Sequence, residues 1–205
     1  MFENDNSRKQ APFYVLSMGK FALLYLCTSG LFVFYWFYQH WFRQVRLSGE
    51  AISPVARTIF LPVFVLPLIK RVRALEQDKA LQIQWKPDRL ISVYFLGLAS
   101  KVFIAYGVFF GFFSPAWALL DIALFFVNFY VFYQLQLVIN RCCDDPFGSQ
   151  DQAITTANKA FIVLGLVMWM NWFQNLYEAM TQPKTLPEAQ TQGQTTSQDR
   201  PSLSL

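Results

Sequence analysis

The chain has 205 residues, is 54% apolar and only 15% charged, and carries 22 Phe and a net charge of +4. Soluble domains average roughly 45–50% apolar and about 25% charged residues, so the composition points to a membrane protein, and charge this sparse argues against a nucleic-acid partner. One His and three Cys (Cys27, Cys142 and the adjacent Cys143) lack the spacing of a disulfide framework or a zinc or haem site, so no metal and no cofactor is expected.

Residues 1–12 are polar. Phe21 to Tyr38 is then an uncharged run of 18 residues. About 20 helical residues, at ~1.5 Å each, cross the ~30 Å hydrocarbon layer. A first transmembrane helix is therefore expected over about 16–40. The run exceeds the ~7–15 apolar residues of a cleaved signal, so it would stay as an anchor. Its end reads "YWFYQHWFR". Trp and Tyr favour the depth where an apolar ring meets lipid and its N–H or O–H meets water. Tyr35, Trp36, Tyr38, His40 and Trp41 accordingly read as interfacial anchors, with Arg43 as the charged one.

Ala51–Ile69 is apolar but broken by Pro54, Arg57, Pro62 and Pro67. Each proline removes a backbone donor, and a straight span would leave carbonyls unpaired in lipid. A re-entrant or interfacial segment is expected over about 51–69, with a proline-kinked span as the alternative. Residues 70–89 read as a cytoplasmic amphipathic segment ended by Lys86-Pro87. Lys70, Arg71 and Arg73 there offer a surface for anionic lipid, at about 1 kcal/mol per basic residue.

Two spans, about 90–113 and 116–138, form a hairpin across "FSPAW" and carry Lys101, Asp121 and Asn128. Counting from Ser114 sets Lys101 level with Asn128, and Asp121 about 10 Å shallower. The expectation is a Lys101–Asn128 hydrogen bond with Asp121 at longer range. Such a cluster serves either an ion or proton path or only the hairpin's own cohesion. Asp144-Asp145 in "RCCDDPFG", with Asp151 following, suits either the metal-dependent phosphate chemistry of a lipid-modifying enzyme or a simple helix end and turn. A last span is expected over about 158–178, and residues 181–205, rich in Gln, Thr, Ser and Pro, read as a disordered polar tail.

The fold expected is all-α: a polytopic membrane helix bundle of four transmembrane helices plus one Pro-broken segment, in a single domain over 1–180. The positive-inside rule puts residues 70–89 and the 141–159 loop on the cytoplasmic side. The run "KFALLYLCTSGLFVFYWFYQHW", with Gly30, Leu31, Tyr35, Trp36 and Tyr38, and the words "ISPVAR" (52–57) and "INR" (139–141) carry a resemblance. They resemble a group of small bacterial inner-membrane proteins of unknown function whose first helix reads like G-L-Y-x-x-Y-W-x-Y, Phe32 standing here for the first Tyr. The resemblance implies a multi-pass protein of the bacterial cytoplasmic (inner) membrane and transfers no catalytic residue. No G-x-S-x-G, H-E-x-x-H or phosphate loop is present. The expectation is a non-enzymatic accessory or scaffold subunit of a larger inner-membrane complex, in contact with membrane lipids and a membrane-protein partner or further copies of itself. The alternative is a small oligomeric transporter or channel using Lys101, Asn128 and Asp121.

Overall fold

A computed structural model describes residues 11–112 and 117–181. Residues 1–10 and the expected tail beyond Thr181 lie outside the described residues, as do residues 113–116 of the "FSPAW" turn. The described chain is all-helical, with seven α-helices and no strand.

The first expected span is not one helix. α1 runs Met18–Cys27 and α2 runs Phe32–Ser48. At 1.5 Å per residue α1 is only about 15 Å long. Thr28 ends it: its hydroxyl donates to Leu24 O at 2.6 Å and accepts from Phe32 N at 3.0 Å. Ser29 and Gly30 then take positive φ, 52° and 83°, which reverses the chain; Gly30 pays no Cβ penalty for it. Phe21 consequently stacks edge-on against Trp36 with ring centroids 6.0 Å apart. Residues 15 apart on one straight helix would be roughly 22 Å apart. The two halves of the expected span therefore form a helical hairpin, and "CTSG" is its tip.

The prolines explain the next stretch. Pro54 and Pro62 sit in the first turns of α3 (Pro54–Ile59) and α4 (Leu61–Asp78), where no N–H is needed. Ser53 caps α3 by accepting from Ala56 N at 3.2 Å. Only Pro67 lies inside a helix. The boundary expected at 69/70 does not exist, because α4 continues unbroken to Asp78. It buries Leu61, Val65, Leu68, Ile69 and Val72, one face at helical spacing. The amphipathic helix expected to reach Lys86 stops at Asp78, with Ala80 at φ 50° just beyond.

α5 (Pro87–Phe109) and α6 (Ala118–Cys142) form the expected antiparallel hairpin. Both Pro87–Phe109 and Leu119–Cys142 are long and apolar enough to cross a membrane. A short 3-10 turn, Ser149–Asp151, leads to α7 (Thr156–Thr181), which at 26 residues is about 39 Å long. α7 docks on α1 through Gly165. A Cβ there would lie 2.1 Å from Cys27 O, so only glycine admits this approach.

The core lies between α1, α2, α4 and the second half of α6. Its largest fully buried side chains include Trp36, Trp41, Phe13, Phe21 and Phe37. Trp36 and Trp41, expected at a lipid–water boundary, are 0% exposed, as is His40. These three belong to the protein interior. The ring that suits an interfacial depth suits a core as well, and α2 turns one face of its aromatic run inward. Tyr35 remains exposed and Tyr38 half-buried, stacked on Phe42.

Candidate functional site

Two polar clusters stand out, at opposite ends of an aromatic column. The outer one is the pair expected from sequence, with a different partner. Lys101 Nζ lies 3.1 Å from Asp121 Oδ1. Asn128 does not receive the lysine: its Nδ2 donates to Leu124 O of its own helix at 3.0 Å, and its amide faces Gly97 of α5. The hairpin register sets residue 97, not 101, against 128. Lys101 reaches about one turn toward the loop, against the usual backward lean of helical side chains, because a carboxylate attracts it more strongly than an amide does. Both side chains are partly exposed. The pair lines a cavity of about 150 Å³ with Ser29, Phe125, Trp169 and Trp172. Ser29 is the tip of the α1–α2 hairpin, so the tip, α5, α6 and α7 converge on the ion pair.

The inner cluster was not legible beforehand. Residues 11–17 precede α1 as an extended strap, yet Phe13, Tyr14, Val15 and Leu16 are 0–6% exposed. A buried, non-helical backbone must find partners elsewhere. Side chains of α2 and α6 supply them. Gln44 Nε2 donates to Pro12 O at 2.7 Å, and Arg43 Nη1 donates to Phe13 O at 3.0 Å. Tyr14 N donates to His40 Nδ1 at 3.2 Å, and Gln136 Nε2 donates to Tyr14 O at 3.1 Å. Asn140 holds both sides of Leu16, accepting from its N at 3.4 Å and donating to its O at 2.8 Å. Gln136 also donates to Asn140 Oδ1 at 2.6 Å and accepts from the Trp36 indole. Arg43, expected as an anchor in headgroups, is thus spent on the strap, its guanidinium 5.1 Å from the Tyr14 ring centre.

Lys20 and Asp151 lock the strap's exit. Lys20 Nζ is 2.5 Å from Asp151 Oδ1 and donates to Ala153 O at 2.7 Å. Tyr14 donates its hydroxyl to Asp151 Oδ2. Burial pushes the Tyr14 phenol far up, and the neighbouring carboxylate adds to the effect, so it stays a donor. Gly148, at φ 65°, lies against the strap so closely that a Cβ would be 2.2 Å from Leu16 O.

The acidic loop has structural partners. Asp144 pairs with Lys79. Asp145 accepts from Ser149 N and Oγ at 2.9 Å and from Gln150 N at 3.1 Å. Burial alone would raise its pKa, but hydrogen bonds from Ser149, Gln150 and Gly148 outweigh that and hold it below the usual carboxylate range. With Asp151 bound to Lys20, the three carboxylates face different ways, and among the described residues no three His, Cys, Asp or Glu come together as a metal site.

Of the basic residues expected to face anionic lipid, Lys70 and Arg73 are exposed. Arg71 is engaged inward: Nη2 lies 2.5 Å from Glu50 Oε2, Nη1 donates to Gln44 Oε1 at 3.1 Å, and the guanidinium lies 5.3 Å from the Trp41 ring centre. It tethers α4 to α2.

Between the two clusters runs the column of rings: Phe125 against Tyr25 at 5.2 Å, Tyr25 against Phe129 at 5.2 Å, Phe129 against Phe21 at 6.4 Å, then Phe21 against Trp36 and Trp36 against His40 at 4.2 Å. The chain matches no protein-family model, no curated protein and no solved structure.

Proposed function

We infer that this is a multi-pass protein of a bacterial inner membrane in which α5, α6 and α7 cross the bilayer and the α1–α2 hairpin enters from the cytoplasmic side without crossing. Support comes from where apolar surface lies uncovered. On α5, Leu96, Phe103 and Phe109 are 62–84% exposed, while Leu90, Tyr94 and Ile104 are buried. On α7, Val163, Met170 and Tyr177 are 62–72% exposed. A soluble monomer rarely exposes contiguous apolar patches of more than a few hundred Å²; lipid makes such a surface ordinary. The strap, α4 and the start of α5 all lie at the C-terminal end of α6. This gathers Arg43, Arg71, Arg73, Lys79, Arg89 and Arg141 at one end, which the positive-inside rule makes cytoplasmic. α1 with α2 takes the place of the first of four expected spans.

Within that membrane frame, its function is that of a non-enzymatic accessory or scaffold subunit of a larger complex. The observation that carries this reading is the aromatic column. It separates the Lys101–Asp121 pair from the polar lattice below, so the buried polar groups serve cohesion rather than a path. The test is purification from native membranes and stoichiometry by native mass spectrometry, with a fixed-ratio membrane-protein partner expected.

One observation favours the second reading, a small oligomeric transporter or channel. The tip of a broken helix meets an ion pair in a cavity, an arrangement that transporters use for coupling sites. Homo-oligomers that carry ion flux in liposomes, lost in Lys101→Met, would replace the scaffold reading with this one.

A further inference from the structure

A second cavity, of about 570 Å³, opens between the start of α5 and the middle of α6. Lys86 and Arg89 line it, as do buried Leu90 and half-buried Val93, which form its apolar floor, and Tyr130 beside them. Both cations are exposed. Arg71, Lys79 and Lys101 each have a carboxylate within 4 Å, whereas Lys86 and Arg89 form no ion pair with any described residue. Asp88, the carboxylate between them in sequence, is exposed and does not line the cavity. Gln84 and Gln134 add neutral hydrogen-bonding groups to its wall. The lining therefore combines two positive charges that have no ion-pair partner with an apolar floor, and its Trp85 indole donates to the Glu76 carboxylate at 2.6 Å. From that floor, Tyr130 and Phe126, one turn apart on α6 and 55% and 52% exposed, continue as an open apolar strip.

We propose that this cavity is a binding site for a net-anionic phospholipid, its phosphate on Lys86 and Arg89 and an acyl chain over Leu90, Val93 and Tyr130. The proposal rests on the membrane reading above. Its position fits a headgroup, because Lys86 and Arg89 flank the very start of Pro87–Phe109, a helix able to cross a bilayer. Free phosphate would use the cations and leave the floor empty. A zwitterionic lipid would bring its own cation toward two others.

The experiment uses the full chain in detergent and native mass spectrometry with phosphatidylglycerol or phosphatidylcholine as the probe. One phosphatidylglycerol is expected to stay bound in preference to phosphatidylcholine. The double variant Lys86→Gln/Arg89→Gln should weaken it roughly thirtyfold, at about 1 kcal/mol per basic residue. Lys70→Gln/Arg73→Gln, which removes two exposed charges on α4 that do not line the cavity, should change it by less than about twofold, since exposed charges outside the site are screened. Val93→Trp, which fills the floor and keeps both cations, should also release the lipid. Equal losses in the two double variants would mean diffuse attraction and would overturn the site. So would unchanged binding in Val93→Trp, or displacement of the lipid by inorganic phosphate alone. A chain that stays in the aqueous phase without detergent would overturn the membrane reading itself. Failure of the lipid site alone looks different: the chain enters membranes, but wild type and Lys86→Gln/Arg89→Gln hold phosphatidylglycerol alike.

Discussion

The two halves of α6 differ in what surrounds them, although both are apolar. Along the first half, Leu119, Leu120, Phe126 and Tyr130 are 45–55% exposed. Along the second, Val131, Leu135, Gln136, Ile139 and Asn140 are 0–1% exposed. The polar residues divide the same way. Asn128 in the first half bonds only its own helix, whereas Gln136 and Asn140 hold the backbone of a segment more than a hundred residues away. The second half carries more polar residues, Gln134, Gln136, Asn140 and Arg141, and it is the destination of Gln136 and Asn140 that sets the halves apart. In the proposed membrane setting, the first half takes lipid as its solvent and the second takes the rest of the protein.

The largest effect expected from breaking this contrast is at Asn140. Asn140→Leu strands the N–H and C=O of Leu16 and one bond of Gln136. Each buried group left unpaired costs about 1–3 kcal/mol, so a loss of about 3 kcal/mol or more is expected in detergent unfolding followed by circular dichroism. A loss below about 1 kcal/mol would show that the strap contributes little to the fold. Next comes Gly165→Val, which forces the α7 helix off Cys27 and Thr28. Overpacking costs typically about 1–3 kcal/mol. A disulfide-free crosslink between α1 and α7 should form in wild type and fail in the variant, and its persistence would show that α7 shifts without cost.

Acid should loosen the loop beneath the strap. Asp145 has a folded-state pKa below its unfolded value, so its contribution is present above the ordinary carboxylate range and is lost as pH falls through the depressed value. The protection of the Ser149 and Gln150 amides, taken relative to the intrinsic exchange rate at each pH, should therefore be high at neutral pH and fall in acid. In Asp145→Asn it should already be low at neutral pH and lack that acid step. Protection with no step in wild type would mean that Asp145 is not the group that holds the loop.

How much of this was legible in the sequence follows the same division. The long uncharged runs gave the helical class and the α5–α6 hairpin with Lys101, Asp121 and Asn128 on it, but they gave the lysine the wrong partner, Asn128 in place of Asp121. Those features depend on local pattern. The strap did not show, because "APFYVLS" has no helical or strand period and its partners are far away in sequence. One signal was there: Trp36 and His40, like Gln136 and Asn140, are four apart, so each pair lies on one helix face, as expected for facing polar stripes. The aromatic run misled for a physical reason, since Trp and Tyr suit both a membrane boundary and a core. The span over 16–40 misled because composition registers length, while Thr28, Ser29 and Gly30 reverse the chain by backbone geometry.

The smallest effects expected lie in the outer half of α6, and they decide between the two pairings of Lys101. Counting residues from the loop joins Lys101 to Asn128, and the structure joins it to Asp121. If Asn128 held the lysine, Asn128→Leu would strand a charge and cost more than Lys101→Met. With Asn128 bonded to Leu124 O, the leucine removes one intrahelical bond that a neighbour does not need, so a change of about 0.5 kcal/mol or less is expected. Lys101→Met removes a partly exposed ion pair, and such pairs contribute about 0.2–1 kcal/mol. Single values this close separate poorly, but their coupling does not. The cycle of Lys101→Met with Asp121→Asn should show an interaction of about 0.5 kcal/mol or more, and the cycle of Lys101→Met with Asn128→Leu should be additive within about 0.3 kcal/mol. Coupling in the second cycle and none in the first would return the lysine to Asn128. It would also detach Asp121 from the hairpin tip at Ser29, and with it the one observation that favours transport over scaffolding.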